Sequence, residues 1–397
     1  MIPRVNINLE NGMLGAVGDY NDGVAALVIG CDVGESGITA GDIFTLSSVD
    51  DCVENKIADI PFAYQQVKEF YNEAGQGAKL YVLIAENTEV LADLADKAST
   101  NKYAKTLLDY AGGEVNLIGI CRNPDESYTA SLTSGMDEDS EAAITKLQVL
   151  ANDYLINHNP IIGLVEGREF QGDASSVSDL SEGSDNFVGV VMAASGELSE
   201  SFPGAASVGL ALGRAAAVPV QRKIARVKDG SLSISGAYLG GVDGRVKIEN
   251  ADWEGLATKN YIVVGKYPNK SGYYFIDDTL ATSLTDDYST ISRRRAMNKI
   301  IRIVSKTYVN ELNDDIEIDS EGKIAPAVAK YYQGLIENAV SQEMTANGEL
   351  SGFSAFVDIN QNVLSTGRID IALAAIPKGY SQEIKVVLGF TNPALGV

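Results

Sequence analysis

The 397-residue sequence predicts an α/β protein, α+β overall: an outer α/β sandwich with a mainly parallel sheet, inserted before a C-terminal α+β domain that the N-terminal arm completes. Three observations predict it. Between residues 24 and 195, continuous apolar runs of strand length alternate with amphipathic helices, the pattern of a parallel sheet covered on both faces. From residue 261 the order changes to a hairpin, two helices and three strands of period two. The N-terminus carries a strand pattern with no hairpin partner beside it.

The arm spans residues 1–20. Val5, Ile7 and Leu9 alternate with Arg4, Asn6, Asn8 and Glu10, and Gly12, Gly15 and Gly18 then supply a flexible tether. Two readings are open for it: an edge strand of its own domain, or a strand added to a neighbouring subunit's sheet. Residues 21–217 form the outer acidic domain. Its strands are read at VAALVIG (24–30), KLYVLIA (79–85), VNLIGICR (115–122), PIIGLVEG (160–167) and NFVGVVMA (186–193), with helices near 61–74, 88–111, 140–157 and 203–216. Residues 218–260, with GAYLGGVDGR and the single Trp253, are expected to be a connecting β region. Residues 261–397 are expected to form one C-terminal module.

In that module YIVVGKY and GYYFIDD flank turn residues 268–272. A helix follows from about Tyr288 to Leu312, with Met297, Ile300, Ile301, Val304 and Tyr308 on one apolar face. Arg293, Arg294, Arg295, Lys299, Arg302 and Lys306 give it six positive charges with no acidic residue between Tyr288 and Asn310. A solvated helix face is one account of them; a surface awaiting a negative partner is the other. A second helix is expected from about Pro326 to Ala346, then strands at Phe353–Ile359, Ile369–Ile376 and Glu383–Phe390.

Charge is uneven. Residues 1–220 hold 33 acidic and 11 basic side chains, and the net charge of the chain is −23. Such a field repels nucleic acid and anionic membranes, so neither is an expected partner. No apolar run reaches the 18 residues of a membrane span, and the start MIPRVNINLE lacks a signal-peptide pattern. Cys31, Cys52 and Cys121 are too few and scattered for a disulfide framework or a zinc site and read as buried free thiols.

No catalytic, cofactor or metal residues are assigned. After Ile29 the chain reads GCDVGESG, whose glycine spacing is not that of a dinucleotide-binding turn, and no P-loop lysine motif occurs. His158, the one histidine, ends a helix in INHNP, a capping position. EIDSEGK looks like the front of a calcium loop, but Val328 stands where the bidentate carboxylate belongs, so a hairpin turn at Asp319–Gly322 is expected. Asp286 and Asp287 are read as first-turn residues that favour the helix dipole.

GYYFIDDTLATSLTDDYSTISRRRAMNKIIRIV, followed by GELSGFSAFVDINQNVLSTGRIDIALAAIPKGYSQEIKVVLGF, resembles the C-terminal domain of contractile tail sheath proteins of bacteriophage tails, R-type pyocins, type VI secretion and related injection systems. The resemblance covers about the last third of the chain and the N-terminal arm. It implies a self-assembling subunit in stacked hexameric rings around an inner tube, made in the bacterial cytoplasm, with baseplate and terminator proteins as further partners. It implies strand exchange between subunits through Val5, Ile7 and Leu9 at one end and Ile384, Val386, Leu388 and Phe390 at the other. It also implies that a helix of the inner domain faces the tube, here the helix with the six positive charges. The alternatives are an α/β nucleotide-binding enzyme and a non-contractile tail or baseplate protein.

Overall fold

A computed structural model describes residues 21–132, 134–241, 244–386 and 388. The chain divides into two compact units, the first ending at Asp315 and the second starting at Ile316.

The first unit begins β1 (Ala25–Gly30), β2 (Ile43–Leu46), α1 (Asp51–Glu54), α2 (Pro61–Ala74), β3 (Leu80–Ala85), α3 (Leu91–Ala95), α4 (Tyr103–Tyr110), β4 (Leu117–Arg122), α5 (Glu138–Ile156), β5 (Ile162–Glu166), β6 (Ser184–Asp185) and β7 (Val188–Val191). It continues β8 (Ala194–Ser195), α6 (Gly196–Ser201), α7 (Val208–Ala217), β9 (Ala237–Gly241), β10 (Gly244–Lys247), α8 (Trp253–Thr258), β11 (Val264–Gly265), β12 (Tyr274–Phe275), β13 (Ala281–Thr282) and α9 (Ile291–Tyr308).

Six strands form one sheet in the order β2-β3-β1-β4-β5-β7. All neighbours are parallel except β2 on β3. Every residue of β1, β3, β4, β5 and β7 is buried, which is why these strands read as unbroken apolar runs. Leaving out antiparallel β2, the parallel strands follow the doubly wound order 2-1-3-4-5. Right-handed crossovers then put α2 on one face and α4 and α5 on the other, and α7 joins α2 by close packing. That packing depends on Gly209 and Gly213, where a β-carbon would lie 2.0 and 2.3 Å from the carbonyl oxygens of Gln66 and Phe70.

Several sequence expectations shift. The helix expected over 88–111 is two, α3 and α4, because Lys102 adopts a left-handed conformation (φ 51°) just before Tyr103. Within the connecting β region, β9 pairs with both β8 and β10 in a three-stranded antiparallel sheet of the first unit. The two compact units part at 315/316, so residues 261–315 lie in the first. The cause is that Ile262 bridges Val191 at the edge of the large sheet and α9 packs beneath β5. Asp286 and Asp287 precede α9, which starts at Ile291 after the N-cap Thr290; Asp286 instead accepts hydrogen bonds from Tyr288 N and Asn186 Nδ2.

The second unit contains α10 (Pro326–Val340), a π-helical turn over Ser341–Thr345, β14 (Gly352–Val357), α11 (Val363–Thr366) and β15 (Ile371–Ile376). β14 and β15 form an antiparallel pair against which α10 packs through Ala329, Tyr332, Ile336 and Val340. The turn at Asp319–Gly322 is as expected: Ile318 bridges Ile324, and Asp319 Oδ1 accepts from Glu321 N and Lys323 N. The strand expected at 383–390 is not formed in the described residues 383–386 and 388. The arm strand with Val5, Ile7 and Leu9 lies outside the described residues, as does Phe390.

Candidate assembly interface

In an open α/β sheet the usual ligand site is the crevice at the carboxyl ends of the strands where the order reverses, here between β1 and β4. This chain fills it with its own side chains. Arg122, at the end of β4, is fully buried; its backbone N donates to Glu166 Oε2 (2.8 Å), Nη1 reaches Asp139 Oδ2 (3.3 Å), and its guanidinium stacks 4.1 Å over Tyr128. Glu166 Oε1 accepts from Ala206 N (2.9 Å), and Arg168 Nη1 donates to the Arg122 carbonyl (2.5 Å). Burial raises the carboxyls of Glu166 and Asp139 and lowers the Arg122 guanidinium; Arg168 and Arg122 oppose the shift at Glu166, and Arg122 and Asp139 oppose each other's. Gly30 is closed off as well: a β-carbon there would meet Arg122 and Leu94, each at 3.2 Å.

Cavities lined by the described residues beside Arg295 and beside Glu69 measure about 10 and 20 Å³, room for a water or an ion. A nucleotide needs several hundred. His158 is exposed with φ 59°, the helix-end geometry its sequence context suggests. The three cysteines are buried and free, and burial pushes Cys31 and Cys52 up to about 12.

The six positive residues of α9 do not form one outward ridge. Arg294 and Arg295 are buried. Arg295 donates to the carbonyls of Ala215 (2.7 Å), Val218 (3.0 Å) and Asp22 (3.1 Å), closing the C-terminal end of α7 where unpaired carbonyls concentrate negative potential. Lys299 pairs with Asp22 (2.6 Å). Arg302 donates to the carbonyls of Gly113 (2.6 Å), Val115 (2.8 Å) and Pro160 (3.1 Å), loops that lead into β4 and β5. Arg294 lies 3.4 Å over Phe187, and burial lowers it to about 10. Arg293 is half-buried and Lys306 exposed. Arg294, Arg295, Lys299 and Arg302 thus engage groups of their own chain. These four clamp the amino-terminal edge of their own sheet; Lys299 and Arg302 are half-buried, as are the apolar residues Met297, Ile301, Val304 and Tyr308. The signal available in the sequence was arginine at 294, 295 and 302, since a planar fork of five donors suits several carbonyls at once.

The second unit is open in another way. Among the described residues β14 and β15 pair only with each other. Phe356 and Ile376 on the pair are exposed. Beyond β15, Ile384, Val386 and Leu388 are spaced two apart and are 78, 77 and 93% exposed. An alternating apolar segment beside a two-stranded pair has the chemistry for strand addition: main-chain donors and acceptors on an unpaired edge, and side chains of period two.

Residues 2–279 match the family DUF2586, N-terminal domain, and residues 287–395 match DUF2586, C-terminal domain. The chain belongs to the DUF2586 family. No curated protein matches this DUF2586 chain. Among solved structures it is similar to a chain of the contracted helical sheath of the anti-feeding prophage, at 18% identity over 98% of this chain and 99% of that one, with a TM-score of 0.60. It is also similar to a chain of the contracted PVC sheath complex, an extracellular contractile injection system, at 13% identity over 98% and 97%, TM-score 0.61. A chain of the contracted anti-feeding prophage baseplate aligns at 14% identity over 98% of both, TM-score 0.64. The DUF2586 chain therefore has the fold of contractile sheath proteins from end to end.

Proposed function

We propose that this DUF2586 protein is a structural subunit of a contractile sheath, one that polymerises with copies of itself around an inner tube and shortens to drive that tube. The observation that carries this reading is the full-length fold match to sheath chains, joined to an alternating C-terminal segment left exposed beside a two-stranded pair. In an assembled sleeve, Ile384, Val386, Leu388 and Phe390 of one copy, and Val5, Ile7 and Leu9 of another, add strands to the β14–β15 pair of a neighbour. Each main-chain hydrogen bond so gained is worth about 1 kcal/mol net, and the apolar side chains add their burial. Such links are modest singly and strong in a lattice of many copies.

The subunit acts by assembly and not by catalysis: the crevice in which an α/β enzyme would hold a ligand is sealed by Arg122, Glu166 and Arg168. Similarity to a chain in a baseplate structure supports a baseplate-proximal first layer for the same subunit. Purified full chain, concentrated and viewed by negative-stain electron microscopy, is expected to give hollow helical sleeves of constant diameter. A chain that stays monomeric at all concentrations, alone and with its neighbouring tube protein, overturns the reading.

A further inference from the structure

Arg294 differs from its neighbours on α9. Arg295 and Arg302 each donate to three carbonyls of the chain, whereas no N–H of Arg294 meets an acceptor among the described residues. Arg294 is 4% exposed, and its guanidinium lies 3.4 Å over Phe187 and 4.7 Å over Tyr288. Ring contacts of this kind engage the π face of the group and leave its five donors, which lie in the guanidinium plane, unused. Nε is sealed from water, but Nη1 and Nη2 are not.

The loop that leads into α9 is held ready beside it. Asp286 accepts from Asn186 Nδ2 (3.0 Å), the Thr282 hydroxyl (3.2 Å) and Tyr288 N (2.7 Å). It therefore spends its oxygens on the loop and forms no ion pair with Arg294; together with Tyr288 it only opposes, through space, the lowering that burial imposes on the guanidinium. The same loop carries Leu284, 63% exposed. A desolvated cation with unpaired donors is costly, and an oxyanion that takes both Nη groups at once offsets that cost.

We propose that Arg294 is a receptor for one carboxylate of a second copy of this chain, taken end-on by Nη1 and Nη2, with Leu284 as the apolar contact on the same loop. The second copy as partner rests on the sheath reading above. Charge complementarity selects it: with 54 acidic against 31 basic residues, a neighbouring copy is rich in carboxylates, and two such copies repel unless a positive receptor directs the contact. An arginine backed by aromatic rings is also the kind of residue on which association energy concentrates. The two oxygens of a carboxylate match the two Nη groups of the fork, a fit that a lysine ammonium cannot reproduce.

The test is sedimentation velocity of the full chain over a concentration series, in sodium chloride and in sodium acetate at equal ionic strength. Arg294→Gln is expected to raise the dissociation constant for self-association about tenfold, and Arg294→Lys by less. Leu284→Ser, at an exposed position where folding is not at risk, raises it about threefold. Acetate, a free competing carboxylate, weakens association of the unaltered chain and leaves Arg294→Gln as it was. Lys270→Gln makes the same charge change at an exposed turn and has no effect. Self-association that is equal in Arg294→Gln and Lys270→Gln, or equal in acetate and chloride, overturns this proposal and leaves the sheath reading standing. A chain that is monomeric at every concentration overturns the sheath reading itself, and with it the second copy as partner.

Discussion

The two units of the chain differ in how far each completes itself. In the first, five parallel strands are buried throughout, the β7 edge is bridged by Ile262, and α9 seals the amino-terminal edge of the sheet. In the second, one helix covers one side of a single two-stranded pair, and the apolar residues after it lie in the open. Two paired strands alone are marginally stable in water. On the proposed function, the first unit is the self-contained body and the second offers the edge at which copies associate.

The comparison breaks most directly at the C-terminus. Removing residues 384–397 is expected to abolish sleeves in electron micrographs while the circular dichroism melt of the first unit stays in place. If the melt collapses with assembly, the second unit is no independent docking element. Next in size is the clamp. Arg302→Ala exposes three carbonyls at once and is expected to cost about 3 kcal/mol in denaturant titration, with Arg302→Lys recovering part of it. The smallest effect is expected at Glu249. The hydrogen bond from Lys266 holds its carboxyl down at about 2 against desolvation, helped by its own backbone N–H and then Tyr273. With a folded pKa below the unfolded value, its contribution is present above about 4.5 and is lost as pH falls toward 2. Glu249→Gln should slightly flatten the acid limb of a stability–pH profile between those values.

The large sheet was legible because strands buried on both faces leave an apolar run that no exposed element would carry; VAALVIG and KLYVLIA are examples. The break between α3 and α4 was not. It depends on Lys102 in a left-handed conformation, which helical period does not register. Helical period placed the stripes of α9 correctly but could not say which stripe turns inward, because periodicity ranks faces by polarity, whereas Arg295 and Arg302 are drawn to carbonyls that belong to distant loops. The filled crevice was equally hidden: Arg122, Glu166 and Arg168 look like ordinary strand-end residues until the sheet brings them together. The period of two over Glu383–Phe390 suggested a strand, and residues 383–386 and 388 form none within the chain.

The hydrogen bond from Arg295 to Asp22 joins positions 273 residues apart. A ribosome making this chain must release everything through Tyr308 before the base of the sheet can be closed, so the nascent protein stays unlatched for most of its synthesis. The same contact sets where the chain can be divided: cutting in the interval between residues 279 and 287, where the two family domains part, would strand the latch on the wrong fragment.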